Sequence, residues 1–181
     1  MATIPTPYDA TAGTKASAAA FDAGVKDVFN FLLNGYPRVH AYDGTGVSCA
    51  NSVSTLIPWS AEVYDTDSMH DNTTNPSRII FNTTGLYQLD FQLTMPGVAY
   101  TLQDLNIRLN SGGAAAGGTS LRTQPYSDGT RGVATVAFRF QRFMTAGDYV
   151  EAFMNQTSGL ARSCSATSLG TRVFANWIAS S

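Results

Sequence analysis

The residues best equipped for chemistry lie in one acidic stretch, residues 64–77, with the sequence YDTDSMHDNTTNPS. Asp65, Asp67 and Asp71 are spaced two and four apart, and His70 precedes the last of them. Carboxylates at such spacing could bind Ca²⁺, but the glycine and terminal glutamate of an EF-hand loop are missing. Asp and Ser side chains also bond to the local backbone in loops. The stretch is therefore predicted to be a polar surface loop with candidate recognition residues Asp65, Asp67, His70 and Asp71.

No catalytic set accompanies these acids. The chain has two histidines, His40 and His70, and they are far apart in sequence. The nucleophile elbow G-x-S-x-G, the P-loop and the fingerprint G-x-G-x-x-G are all missing from the sequence. A cupin-like metal site would need two or three histidines converging with a carboxylate. The sequence thus predicts a protein that is not an enzyme, with no catalytic residues, no metal and no cofactor.

The two cysteines, Cys49 and Cys164, have no C-x-x-C spacing, which argues against a metal or redox site. Two free, buried thiols are the favoured interpretation, and a long-range disulfide is the alternative. Four aromatic residues leave a similar choice open, because they could line a sugar-binding surface or belong to the core or a subunit interface. These are Trp59, Tyr64, Phe143 and Trp177.

Composition excludes two classes of partner. Of the 181 residues, 13% are charged and the net charge is −2, so the chain has no basic patch for nucleic acid. No run approaches the roughly 20 apolar residues of a membrane span. The N-terminal sequence MATIPTPYDATAG lacks the charged and apolar regions of a secretory signal. We therefore expect synthesis in the cytoplasm, with no nucleic-acid or membrane partner.

The N-terminal 36 residues differ from the rest of the chain. Residues 1–14 have few apolar anchors and are predicted to be an extended arm. Over residues 15–33, apolar side chains recur at steps of four and three, which predicts an amphipathic helix that ends at Asn34-Gly35. The helix could pack on its own domain or dock to a larger assembly. The residues that would act as the assembly anchor are Phe21, Val25, Phe29 and Leu32.

From residue 37 onward the pattern is that of β-strands separated by turns. The clearest strand is Leu86–Met95, in which Tyr87, Leu89 and Phe91 alternate with polar residues and should face a core. Eight to ten short strands at regular spacing predict an all-β antiparallel sandwich or jelly roll. The other predicted strands are Val39–Tyr42, Val53–Trp59, Arg78–Phe81, Leu105–Leu109, Leu121–Thr123, Gly132–Met144, Tyr149–Met154 and Thr171–Ile178.

Several of these stretches resemble the C1q/TNF-like family. GLYQLDF at 85–91 is similar to its Gly-x-Tyr-x-Phe-x-Phe/Tyr motif, with Leu89 in place of the first Phe. Ile79 stands where the family usually has Phe. TAGDYVEAFMNQTSG (145–159) resembles its Gly-Asp-x-Val turn and strand, RVFANWIAS its last strand, and IPWSAEVYDTDSMHDN the loop before the motif in bacterial and phage members.

The resemblance covers about residues 37–179 and implies a ten-stranded jelly roll that assembles as a compact homotrimer. The polar residues Gln88, Asp90 and Gln92 would then face a neighbouring subunit. The collagen-like Gly-x-y repeat of animal and spore-coat members is missing from the sequence. The layout of arm and helix (1–36) followed by a head (37–181) resembles bacteriophage virion proteins.

A virion protein of this kind would be a capsid decoration, a head fibre or a minor tail component, anchored to capsid or tail proteins through residues 1–36. Its localisation would be the virion. The alternative is a receptor-binding adhesin of the same fold, which would recognise a host glycan or surface protein through loops such as residues 64–77 and 111–119. The two hypotheses share the trimer and differ in the partner.

Overall fold

The computed structural model describes residues 5, 17–95, 100–128 and 135–180. The helix α1 spans Ala18–Asn30 and continues into a π-helical turn, Phe31–Gly35. It ends at Gly35, where the Asn-Gly pair predicted the stop. The arm over residues 1–14 falls almost wholly outside the described residues, as do residues 132–134 of the predicted strand Gly132–Met144.

The rest of the described chain consists of antiparallel strands. In chain order they are β1 (Arg38–Tyr42), β2 (Ser48–Cys49), β3 (Thr55–Leu56), β4 (Ala61–Asp65), β5 (Ile79–Ile80), β6 (Gly85–Thr94), β7 (Tyr100–Leu109), β8 (Thr119–Asp128), β9 (Thr135–Met144), β10 (Tyr149–Gln156), β11 (Arg162–Ser163) and β12 (Arg172–Ala179).

These strands form two facing sheets and a small ribbon. The first sheet has the order β4-β1-β12-β6-β9, and the second has the order β3-β10-β7-β8 with β5 also paired to β10. Strands β2 and β11 pair separately as a ribbon. Neighbours within each sheet are mostly distant in sequence, as Leu89 on β6 opposite Ala175 on β12 illustrates. The all-β antiparallel sandwich predicted from the sequence is confirmed.

The core lies between the two sheets and follows the alternation of β6. Tyr87, Leu89, Phe91 and Leu93 are at most 1% exposed, while the residues between them are half-buried on the opposite face. Full burial of each such side chain stabilises the fold by about 1.5–3 kcal/mol. The Tyr87 hydroxyl donates a hydrogen bond to the Thr83 carbonyl at 2.7 Å, which satisfies its polar end inside the core.

Four segments differ from the sequence prediction. The strand predicted over Val53–Trp59 is reduced to β3, because Pro58 has no N–H to donate and Ser52 has a positive φ of 58°. Strand β4 (Ala61–Asp65), which pairs with β1, was not predicted, and its last two residues lie in the stretch 64–77 that was predicted to be a loop. Strand β8 lies at the edge of its sheet and is much longer than the predicted strand Leu121–Thr123, and the ribbon of β2 and β11 was not predicted.

Over the described ranges, no helix is long and apolar enough to cross a bilayer. The same ranges contain no group of three or more His, Cys, Asp or Glu side chains placed to hold a metal ion.

Candidate assembly surface

The first sheet has one face on the core and a second face that we call the outward face. Alternate residues of β6 point to it, and all three predicted interface residues, Gln88, Asp90 and Gln92, are among them. Their neighbours across the ladder on β9 are Gln141, Arg139 and Ala137, respectively. The structure thus brings these predicted residues together in one row along β6, between β12 and the edge strand β9.

Asp90 and Gln92 make hydrogen bonds within the chain. The Arg139 guanidinium donates to Asp90 Oδ2 from Nε at 3.0 Å and from Nη2 at 2.5 Å. Gln92 Nε2 donates to the carbonyls of Leu169 and Gly170 at 2.7 and 3.0 Å, and its Oε1 accepts from Arg172. Gln92 therefore holds the turn before β12, whereas the Asp90 pair is exposed and contributes at most about 1 kcal/mol.

An aromatic layer covers the β1 side of the outward face. The His40 ring stacks on Phe174 with 4.0 Å between centroids and meets Tyr64 edge-on at 5.8 Å. Guanidinium groups lie over the same rings, Arg172 over Phe174 and Arg38 over Tyr64. Burial lowers the pKa of His40, assisted by the charge of Arg172 and opposed by the hydrogen bond to the Ser168 carbonyl. The layer is therefore built around a neutral imidazole.

The other end of the outward face is apolar and open. Phe143 pairs with Leu86 across the β6–β9 ladder and is 44% exposed, and Ile178 is 43% exposed. A groove of about 380 Å³ lies beside them, where the π-helical turn meets the sheet. Its lining residues are Leu32, Tyr36, Gln88, Asn176, Trp177 and Ile178. Exposed aromatic and aliphatic side chains next to polar groups are typical of a protein interface.

Four exposed apolar side chains along α1 and the π-helical turn form what we call the apolar stripe. Phe21, Phe29 and Leu32 are 57–58% exposed and Val25 is 38% exposed, so these side chains do not pack into the core of their own chain. Phe31 differs, because its ring meets Trp177 edge-on with 5.4 Å between centroids and is buried. The helix is thus held at one end only.

The candidate recognition residues mostly stabilise their own loop. Asp65 Oδ1 accepts from the Asp67 N–H and Oδ2 from the His70 N–H, and the His70 ring lies between Glu62 Oε1 and the Pro76 carbonyl. Asp67 and His70 are buried. Asp71 is on the surface, where hydrogen bonds from the backbone of Thr74 and Thr73 lower its pKa to about 2. Recognition through this loop stays a prediction, with Asp71 as its accessible acid.

The second sheet contains a buried carboxylate, Glu151, that was not among the predicted site residues. Glu151 on β10 is 1% exposed and accepts hydrogen bonds from Ser77 Oγ, Arg78 Nε, Ser111 Oγ and the Gly113 N–H. These donors come from two loops, so Glu151 ties both loops to β10. Its position within the apolar strand YVEAFM was the available signal, since a charged residue there must be paired.

Solved structures with the same arrangement of sheets decide the fold. Murine APRIL superposes with a TM-score of 0.60 at 14% identity, over 79% of this chain and 99% of that chain. Eiger TNF from S. frugiperda gives 0.58 at 15% identity, over 81% and 94% of the two chains. The globular domain of zebrafish complement 1qA gives 0.54 at 12% identity, over 80% and 99%. The chain has a C1q/TNF-like jelly-roll fold.

No protein-family model matches the chain, and no curated protein sequence matches it. At identities of 12–15%, the C1q/TNF-like fold is what this chain shares with the three structures. The jelly roll predicted from Gly85, Tyr87 and Phe91 is confirmed. The described residues of the C1q/TNF-like head, from Pro37 to Ser180, contain both its polar row and its aromatic layer.

Proposed function

We propose that the protein is a non-enzymatic structural component of a bacteriophage virion, a homotrimer attached through its N-terminal segment as a capsid decoration, head fibre or minor tail component. The observation that carries the proposal is the exposed apolar stripe of α1 and the π-helical turn, defined by Phe21, Val25, Phe29 and Leu32. The core of the head is complete without it. Apolar side chains exposed together mark a surface that another protein covers, and here that partner is a capsid or tail protein.

The outward face of the first sheet supports the homotrimer. It has an aromatic layer at the His40 end, the polar row of Gln88, Asp90 and Gln92 at its centre, and exposed apolar side chains at the Phe143 end. This is the composition of an interface with apolar contacts and polar partners. A closed ring of identical copies would bury this face in each subunit and leave the second sheet outward.

The engagement of both histidines supports a non-enzymatic role. His40 Nε2 is 3.2 Å from the Ser168 carbonyl, and both His70 ring nitrogens contact acceptors at 2.7 and 3.0 Å. Each ring is thus used in packing or in holding a loop. A general base must lie within reach of a substrate, and His40 and His70 are only 7% and 8% exposed.

The attachment is tested by deleting residues 1–36 in the phage that encodes the chain. We expect the truncated head to remain a folded trimer, measured by circular dichroism and light scattering, and to be lost from purified particles, measured by mass spectrometry. Normal incorporation of the truncated chain would overturn the anchor. A monomeric full-length protein would instead overturn the trimer, so the two parts fail separately.

A substitution pair sharpens the same test. Phe21→Ser with Phe29→Ser removes apolar surface from α1, and Leu160→Ser with Leu169→Ser removes a similar exposed surface from loops of the head. We expect the helix pair to lower particle occupancy at least tenfold, because each buried Phe contributes over 1 kcal/mol to docking. The loop pair should incorporate normally.

The receptor-binding alternative has less support from the loop that was its main candidate. With Asp67 and His70 buried, recognition would fall to Asp71 and the exposed residues 72–75. Binding of the isolated protein to host cells that saturates and is lost on replacing residues 71–75 would favour adhesion. Unchanged binding after that replacement would exclude this loop.

A further inference from the structure

The only two cysteines of the sequence are brought together by the ribbon of β2 and β11. Cys49 is the last residue of β2, and Cys164 directly follows β11. Their sulfur atoms are 3.8 Å apart, although the residues are 115 positions apart in the chain. Both are free thiols, and both are buried, Cys49 completely and Cys164 with 4% exposed. The fold therefore places two thiols in contact at the edge of the core.

We propose that Cys49 and Cys164 are an oxidation site, at which a small disulfide such as oxidised glutathione converts the two thiols into an intramolecular disulfide. The product fixes the ribbon of β2 and β11 covalently. The site depends only on the fold of the head, so it does not rest on the virion hypothesis.

The geometry requires a small, local movement. Arg162 is the residue directly opposite Cys49, so Cys164 is its diagonal neighbour on the ribbon. Diagonal pairs have Cα atoms about 7–8 Å apart, whereas a disulfide needs about 4.4–6.8 Å and an S–S distance of about 2.05 Å. Cys164 lies outside both sheets, at the start of the loop that leads to β12, and its N–H donates to the Val47 carbonyl at 2.9 Å. Closing the gap therefore displaces the backbone of this loop and strains that hydrogen bond.

The chemistry is two successive thiol–disulfide exchanges. The Cys49 thiolate attacks one sulfur of oxidised glutathione, and the first glutathione leaves as a thiolate. Cys164 then loses its proton to that thiolate and attacks the Cys49 sulfur of the mixed disulfide, which releases the second glutathione. The chain loses two electrons and two protons, and one molecule of oxidant becomes two thiols.

We take Cys49 as the first nucleophile, with Cys164 as its hydrogen-bond partner at 3.8 Å. The hydrogen bond from the Cys164 thiol lowers the pKa of Cys49, while the same bond and burial raise the pKa of Cys164. Because neither sulfur is open to solvent, the attack requires a transient opening of the ribbon, and oxidation should be slow. A thiol-rich cytoplasm keeps the pair reduced, and an oxidising medium closes it.

The disulfide would stabilise the loop between Cys164 and β12. The loop after Cys164 donates from the Ser165 N–H to the Thr94 carbonyl, and Gln92 binds the carbonyls of Leu169 and Gly170. A disulfide between residues so distant in sequence also restricts the unfolded chain strongly. We expect the oxidised protein to melt roughly 4–16 °C above the reduced protein.

The experiment incubates the full-length protein with oxidised glutathione or with a phosphine reductant. The expected result is an oxidised chain that is lighter by two hydrogen atoms, has no titratable thiol after unfolding, and shows a peptide linking Cys49 to Cys164 in a non-reducing digest. Its melting temperature should be raised. Cys49→Ala and Cys164→Ala should each melt at one temperature with oxidant or reductant.

Three outcomes would overturn the proposal: two thiols that persist in the oxidised sample, glutathione mixed disulfides as end products, or cross-links between chains. If an alanine variant does not fold, the peptide map of the wild-type protein still decides, because it locates the bond directly.

Discussion

Gly85 shows how one missing side chain positions the strand that follows it. A Cβ built on this residue would overlap the Trp177 indole nitrogen and lie 2.6 Å from the Ala179 carbonyl oxygen. The second of these is backbone of β12, which is fixed by its ladder to β6. The glycine is therefore required by the close approach of Trp177 and β12.

Gly85→Ala should destabilise the head by about 1–3 kcal/mol, because β12 must shift to admit the methyl group. Urea unfolding followed by tryptophan fluorescence measures the change. Gly35→Ala is the matched control, since its Cβ would meet the Asn30 carbonyl oxygen at 3.5 Å, an ordinary contact. Equal midpoints for the Gly85 variant and the wild type would contradict the packing argument.

The buried carboxyl of Glu151 should make the stability of the fold depend on pH. Burial opposes its ionisation, but the donors Ser111, Gly113, Ser77 and Arg78 outweigh burial and lower its pKa. A carboxyl whose pKa is lower in the folded state stabilises the fold above its unfolded pKa of about 4.3 and loses that contribution as the pH falls below it. Glu151→Gln should therefore cost about 1–3 kcal/mol at neutral pH and flatten the fall in stability between about pH 5 and 3.

Thermal unfolding across this pH range measures the slope for both proteins. Asp27→Asn is a suitable control, because Asp27 is exposed on α1 and lies outside the Glu151 cluster. A wild-type slope retained in the Glu151 variant would assign the acid sensitivity to other carboxyls.

At the scale of elements, the sequence predicted strands where local alternation reports burial. The period of two in β6 is unambiguous, and its inward residues were all identified. Strand β4 was missed, because Tyr64 and Asp65 are polar and gain their strand geometry from pairing with β1. The ribbon of β2 and β11 joins residues more than 100 positions apart, so no local pattern could predict it.

Of the two candidate sites on the outward face, one could be predicted from the sequence and the other could not. The row of Gln88, Asp90 and Gln92 followed from alternation, because polar residues of β6 had to share a face. The layer of His40, Phe174 and Tyr64 could not be predicted from alternation, because its residues lie on three strands whose order in the sheet is set by tertiary pairing.

The attachment of α1 to the head gives a prediction at this scale. Phe31 is buried against Trp177, whereas Phe29, two residues earlier, is 58% exposed. Phe31→Ala should therefore release the helix end, and amides of residues 18–35 should exchange with solvent at least fivefold faster, a difference of about 1 kcal/mol. Phe29→Ala should leave exchange unchanged. Equal exchange in the two variants would show that Trp177 does not hold the helix.

At the scale of the whole molecule, the proposed function assigns different tasks to the outward face and to the apolar stripe. The outward face of the first sheet combines exposed apolar side chains with the polar row, and in the proposed trimer a neighbouring copy covers it. The apolar stripe is exposed in the single chain, and in the proposed virion it would bind the particle. Assembly of the head and attachment to the particle should therefore be separable by single substitutions.

Phe143→Glu tests that separation. Phe143 is 44% exposed on the outward face, so a carboxylate there costs little in a single chain but is buried without a partner in a trimer. We expect the wild type to scatter light as three 19.3 kDa chains and the variant to scatter as one, with the circular dichroism spectrum preserved. Leu160→Glu introduces the same charge at a 64% exposed loop residue and should remain trimeric. A trimeric Phe143→Glu protein would place the subunit contact on another surface of the head.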